Sequence, residues 1–153
     1  MITVMVIGLI CIAGIIVFFG LKSKHTSKFL GKRKLTFSKD SYAPGEKVEF
    51  SLEFTPNDNV QIHSLELYLV CSEEDAESGR DEDVVNEEIY IGEKIPVNKG
   101  IQFKNKYSVY LPKSAQPSEE SENFNRSWFI EELIQVQDNS TRVSETHLFN
   151  LKN

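Results

Sequence analysis

The sequence predicts an all-β sandwich of about seven strands, preceded by one transmembrane α-helix. Three observations predict it. From Lys34 onward apolar and polar residues alternate with a period of two. Gly, Pro, Asn and Asp break those runs at the spacing of a sandwich. Residues 1–21 carry no charged side chain. The expected organisation is a transmembrane helix over 1–21, a basic juxtamembrane linker over 22–33 and the sandwich over 34–153.

The first element is "MITVMVIGLICIAGIIVFFGL". About 20 apolar residues suffice to cross a bilayer as a helix. A cleaved signal peptide needs a basic start, a shorter apolar run and a small-residue cleavage site, and none is present. A lipoprotein site at Cys11 fits poorly, because Cys11 sits within the apolar run. Lys22, Lys24, Lys28, Lys32, Arg33 and Lys34 follow with no acid among them. Such charge prefers the cytoplasmic side, so the expected protein is single-pass, with a short N-terminus outside and the C-terminal domain in the cytoplasm. The triplets "NRS" at Asn125 and "NST" at Asn139 match the glycosylation pattern, which has no meaning in that compartment. The six basic residues are candidate lipid contacts, each worth ~1 kcal/mol near an anionic surface. A regulated lipid- or partner-binding switch is the sharper alternative.

The strands follow in order. "KLTFS" is short and leads into the turn "YAPGEKV" around Pro44 and Gly45. Val48, Phe50, Leu52 and Phe54 then alternate with polar residues, and "TPNDN" at 55–59 ends the run. In "VQIHSLELYLVC", Leu65, Leu67, Leu69 and Cys71 share one face, with Glu66 and Tyr68 opposite. An acidic segment, "SEEDAESGRDED", reads as a solvated loop. Strands resume in "NEEIYIGEKI", "IQFKNKYSVYL", "RSWFIEELIQV" and "THLFNL". In "RSWFIEELIQV" the face of Trp128 and Ile130 continues to Glu132 before Ile134 and Val136. Either a β-bulge shifts the register there or the strand faces solvent on both sides for part of its length. The bulge is the expectation, because burying an unpaired carboxylate is expensive.

Composition and motifs exclude several functions. Setting the six basic residues aside leaves 11 Lys and Arg against 23 acids, a balance of −12. Nucleic acid is a poor partner for such a body. Cys11 and Cys71 lie in different environments, so no intramolecular disulfide is expected and the usage fits a reducing compartment. His25, His63 and His147 have no partner at metal-ligand spacing. No nucleophile elbow, phosphate loop or zinc-protease helix is present, so no enzyme and no cofactor are expected. The acidic segment offers Glu73, Glu74, Asp75, Glu77, Asp81, Glu82 and Asp83 as a candidate partner-contact loop. It fails the calcium-loop template, since Arg80 stands at the glycine position.

"YAPGEKV" resembles the turn near the start of arrestin-like domains. "IHSLELYLV", "YSVYLPKSAQPS", "RSWFIEELIQV" and "HLFNL" are similar, in order, to the segments that follow it there. The resemblance runs over residues 34 to 151, one lobe of the two that arrestins and sporulation-control proteins carry, and the lobe looks like the N-terminal type. It implies an arrestin-like, immunoglobulin-like sandwich whose relatives act as adaptors and scaffolds.

The functional expectation is a membrane-tethered, non-enzymatic adaptor that binds a protein partner through the sandwich, at exposed strand edges or at the acidic segment. The alternatives are an extracytoplasmic sandwich for adhesion or sensing, which needs the opposite topology, and a small-ligand or calcium-binding module. A hydrolase is a more distant reading.

Overall fold

The alternating runs become nine strands in the computed structural model, which describes residues 28–137 and 142–152. They are β1 (Lys34–Phe37), β2 (Ser41–Tyr42), β3 (Lys47–Phe54), β4 (Val60–Asp75), β5 (Arg80–Val97), β6 (Phe103–Tyr110), β7 (Glu119–Glu120), β8 (Phe124–Gln135) and β9 (Val143–Leu151). The expected transmembrane helix over 1–21 lies outside the described residues. Among the described residues, no helix is long and apolar enough to cross a membrane. The two strands beyond the expected seven are β2 and β7, each too short to show a period.

One sheet has the order β1-β3-β6 and the other β2-β9-β8-β4-β5, with β7 also on β8. Neighbours are antiparallel except β2 and β9. The core lies between the sheets. Phe50, Leu52 and Phe54 of β3 meet Leu65, Leu67, Leu69 and Cys71 of β4 and Trp128, Ile130 and Ile134 of β8 there, all buried. Phe37 and Phe149 bridge the two sheets, with ring centroids 5.3 Å apart. Burial pushes the Cys71 thiol up to about 11, so it stays protonated at neutral pH, and among the described residues it is a free cysteine.

The turn before β3 sets that strand's register. The Glu46 N–H donates to the Ala43 carbonyl at 3.0 Å, and Gly45 has φ +77°. This is a type II arrangement, with Pro44 and Gly45 in the positions each favours. Phe50 and Leu52 therefore point inward, while Glu49 is exposed and Glu53 pairs with Lys104 at 3.0 Å.

Three expectations are corrected. The acidic segment is not a loop. β4 and β5 continue through it as a hairpin, pairing Ser72 with Asp83, Glu73 with Glu82, Glu74 with Asp81 and Asp75 with Arg80, so that only residues 76–79 turn. The backbone ladder needs no particular side chain. The cost of like charges facing each other at Glu73/Glu82 and Glu74/Asp81 is offset in part by Arg126 on Glu73 and by the Ser72 hydroxyl on Asp81. The bulge expected at Glu132 is absent. The pairing of β8 with β4 and β9 is continuous past that residue, and the register shifts fall instead between β4 and β5, at Leu67/Tyr68 and Cys71/Ser72. The basic linker is not all linker. Residues 28–30 are helical, Leu30 is buried in the core and Arg33 is buried too, so this stretch belongs to the folded body.

The sandwich has two distinct ends. At the entry end, Asn57 N–H donates to the Phe29 carbonyl at 2.7 Å, Gly100 N–H to that of Pro56 at 2.9 Å, and Lys99 N–H to Asn59 Oδ1 at 2.8 Å. At the far end, Ala76 N–H donates to the Asn123 carbonyl at 3.0 Å, joining the tip of the β4–β5 hairpin to the start of β8. β4, 16 residues long, runs from one end to the other. At about 3.3 Å per residue it spans about 50 Å.

Candidate functional site

Arg33 stands just before β1 and crosses the gap between the sheets. Its Nε donates to Glu132 Oε1 on β8 at 2.7 Å, and its Nη2 donates to Glu145 Oε1 on β9. The other oxygen of Glu132, Oε2, lies 3.1 Å from His147 Nε2, also on β9. Glu132 is fully buried, and Arg33 nearly so. The strand alternation puts Glu132 inward, and the guanidinium makes its burial tolerable, because a buried charge needs a paired and hydrogen-bonded partner. A planar guanidinium can serve two carboxylates at once, which a lysine ammonium does less well.

Glu132, Glu145 and His147 bring one ligand atom each within 4.8 Å of one another, a spacing that could hold a metal ion. Arg33 already supplies the cation to both carboxylates, so the arrangement is a closed ion-pair network. Sequence reasoning missed this cluster. It grouped Arg33 with its basic neighbours, found no partner for His147 at ligand spacing and turned Glu132 outward. Two signals pointed to it: an acid on the inward face of an apolar strand, and an Arg among lysines.

The predicted lipid contacts divide. Lys22 and Lys24 lie outside the described residues. Lys28, Lys32 and Lys34 are exposed at the entry end, whereas Arg33 turns into the core and is unavailable to a lipid surface.

The predicted partner-contact residues come together at the far end as a ribbon. Glu74, Glu77, Asp81, Glu82 and Asp83 are exposed. Glu73 is held by Arg126, Nε to Oε1 at 2.6 Å, and Asp81 Oδ1 accepts from the Ser72 hydroxyl at 3.0 Å. Asp75 Oδ1 accepts from the N–H groups of Glu77 and Ser78 across the turn, at 2.9 and 3.3 Å. The Ser78 hydroxyl and these N–H groups hold the Asp75 carboxyl below its ordinary range. Exposed Glu119, Glu120 and Glu122 add to the acidity of the same end. β5 is an edge of its sheet, and it carries exposed Asp81, Glu82, Asp83, Glu87 and Glu88 together with exposed Val84 and Ile91.

The comparisons with known proteins agree on the fold. A family model described as the arrestin (or S-antigen) C-terminal domain matches residues 32–148. Among solved structures, the sporulation control protein Spo0M from Bacillus subtilis is similar, with a TM-score of 0.58 at 14% identity. The match covers 80% of this chain and 49% of that one, so the chain spans about half the length of that structure, and the likeness is one of fold. No curated protein matches. The lobe type expected from the sequence is corrected, since the matching domain is the C-terminal one and not the N-terminal one. Arrestin-like domains commonly serve as protein-interaction or regulatory scaffolds, and family members are generally non-enzymatic adaptors. With most of its length matched, the chain belongs to the arrestin (or S-antigen) C-terminal domain family.

Proposed function

We propose that this protein is a membrane-tethered, non-enzymatic adaptor that presents its sandwich to a protein partner in the cytoplasm. Residues 1–21 span the bilayer, and the basic residues after them keep the domain on the cytoplasmic side. Tethering raises the concentration of the sandwich near partners at the membrane.

The observation that carries this reading is the separation of charge along the sandwich. Lys28, Lys32 and Lys34 cluster where the chain enters, and the acidic ribbon of β4 and β5 lies about 50 Å away at the rise per residue of a strand. A domain held by its basic end offers its acidic end to the surrounding solution, where a basic partner meets complementary charge. The unpaired edge of β5 adds backbone groups on which an extended partner segment can pair.

Photo-crosslinkers placed at Val84 and Glu87 on β5, compared with others at Ser51 on β3, test the reading in intact cells. A discrete protein adduct from the β5 positions alone is the expected result. Adducts from the β3 position alone, or cleavage at Arg80 by protease added outside intact cells, would overturn it.

A further inference from the structure

The turn between β5 and β6 carries a large aliphatic side chain that none of the described residues covers. Ile101 is 65% exposed, on a tight turn in which its N–H donates to the Asn98 carbonyl at 3.1 Å and Gly100 has φ +73°. The Gly100 N–H donates to the Pro56 carbonyl, and the neighbouring Asn57 N–H to that of Phe29, so this turn is fixed beside the point where the chain enters the sandwich. Exposed Lys28, Lys32, Lys34 and Lys99 stand at the same end.

We propose that this entry end, with Ile101 at its tip and Lys32, Lys34 and Lys99 around it, is a bilayer-contact surface that rests on anionic lipid. The proposal rests on the reading that residues 1–21 span the membrane. Six residues, 22–27, separate that segment from Lys28. The seven steps from Leu21 to Lys28, at up to 3.6 Å each, reach about 25 Å at most, so the entry end stays near the headgroups. Electrostatic screening acts over about 8–10 Å at physiological salt, so lysines that come within that distance of the surface are drawn to anionic headgroups. Their aliphatic stems and the Ile101 side chain suit the boundary between headgroup and acyl chain.

The acids of this end are outweighed by its lysines. Glu53 is paired with Lys104 at 3.0 Å, and exposed Asp58 faces the charge of Lys28, Lys32, Lys34 and Lys99. The acidic far end is repelled by the same surface. The two effects turn the sandwich the same way, with the entry end on the bilayer and the β4–β5 hairpin pointing away from it.

The test uses the full chain, carrying Ile101→Trp, in vesicles whose acyl chains are brominated close to the headgroup. One set is phosphatidylcholine alone and the other contains phosphatidylglycerol. The buried Trp128 gives the baseline emission in the wild-type chain. The expected result is loss of the added Trp emission in the anionic vesicles, recovery of that emission with Lys32→Glu and Lys99→Glu, and an unchanged wild-type baseline. Added emission that survives in both vesicle sets, from protein that resists alkaline carbonate extraction, overturns the contact surface and leaves the anchor standing. Quenching that is equal in the two vesicle sets overturns recognition by charge. Release of the chain by carbonate overturns the anchor, and the inference with it.

Discussion

Arg33 Nε lies 2.7 Å from Glu132 Oε1, and the two side chains are 2% and 0% exposed. The pair therefore has almost no solvent to fall back on. Removing one partner of such a pair costs about 3–5 kcal/mol, because the charge left behind is buried and uncompensated. Arg33→Ala and Glu132→Ala are each expected to lower stability by that amount in urea unfolding. Replacing both together, as Arg33→Leu with Glu132→Leu, is expected to cost less than either single change. A double variant as unstable as the sum of the singles would show that the two side chains do not act as a pair.

The register of β3 gives a second prediction. Phe50 is buried and stacked on Tyr107 with centroids 5.7 Å apart, whereas Glu49 is exposed. Phe50→Ala is expected to cost about 3–5 kcal/mol. Glu49→Ala is expected to stay within about 0.5 kcal/mol. Denaturant midpoints of the two variants decide it, and a costlier Glu49→Ala would contradict the register.

Asp75 gives a prediction for pH. Its carboxyl is held below the ordinary 3.8 by the Ser78 hydroxyl and by the N–H groups of Ser78 and Glu77. A group whose folded-state pKa is depressed adds stability that is present above its unfolded value and lost as pH falls through the folded one. The hairpin turn is thus expected to hold at neutral pH and to loosen below 3.8, as read from hydrogen exchange at Glu77 and Ser78. Asp75→Asn should speed exchange at neutral pH and make little difference once the wild-type carboxyl is protonated. Equal exchange in the two proteins at neutral pH would refute the turn's dependence on that carboxylate.

Calcium is expected to leave the melting temperature nearly unchanged. Glu73, Asp75 and Asp81 already have partners within the protein, and cross-strand pairing spreads the remaining acids along a ribbon. A one-site ligand at 100 times its dissociation constant would stabilise by about 2.7 kcal/mol. A rise of several degrees in millimolar calcium would therefore reverse this expectation and make the far end an ion site.

The elements legible in the sequence were those with a local cause. The Pro44–Gly45 turn and the alternation from Val48 to Phe54 specify β3 together, and Leu65, Leu67, Leu69 and Cys71 mark their face of β4 unaided. β2 and β7 were not legible, because two residues carry no period. The acidic hairpin was missed because polarity was read as solvation of the backbone, when only the side chains are solvated. The Arg33 cluster is the least local feature. Arg33 is 99 residues from Glu132 and 112 from Glu145, so no window of sequence contains the reason that Glu132 faces inward. The alternation located that carboxylate correctly, and the energetic objection then sent it outward for want of a visible cation.

The same separation governs the order in which the protein can be made. β2 pairs with the last two residues of β9, Asn150 and Leu151, and Arg33 waits for Glu145 on that strand. A chain emerging from the ribosome can form the β4–β5 hairpin early, since its partners are close in sequence. It cannot close the sandwich until β9 has been synthesised, and pairings across such distances fold slowly because loop-closure entropy is lost before the contacts reward it. Until then Glu132 has neither Glu145 nor His147 beside it, and β8 presents a bare edge where β9 belongs. The nascent domain is most exposed to mispairing just before its final strand arrives.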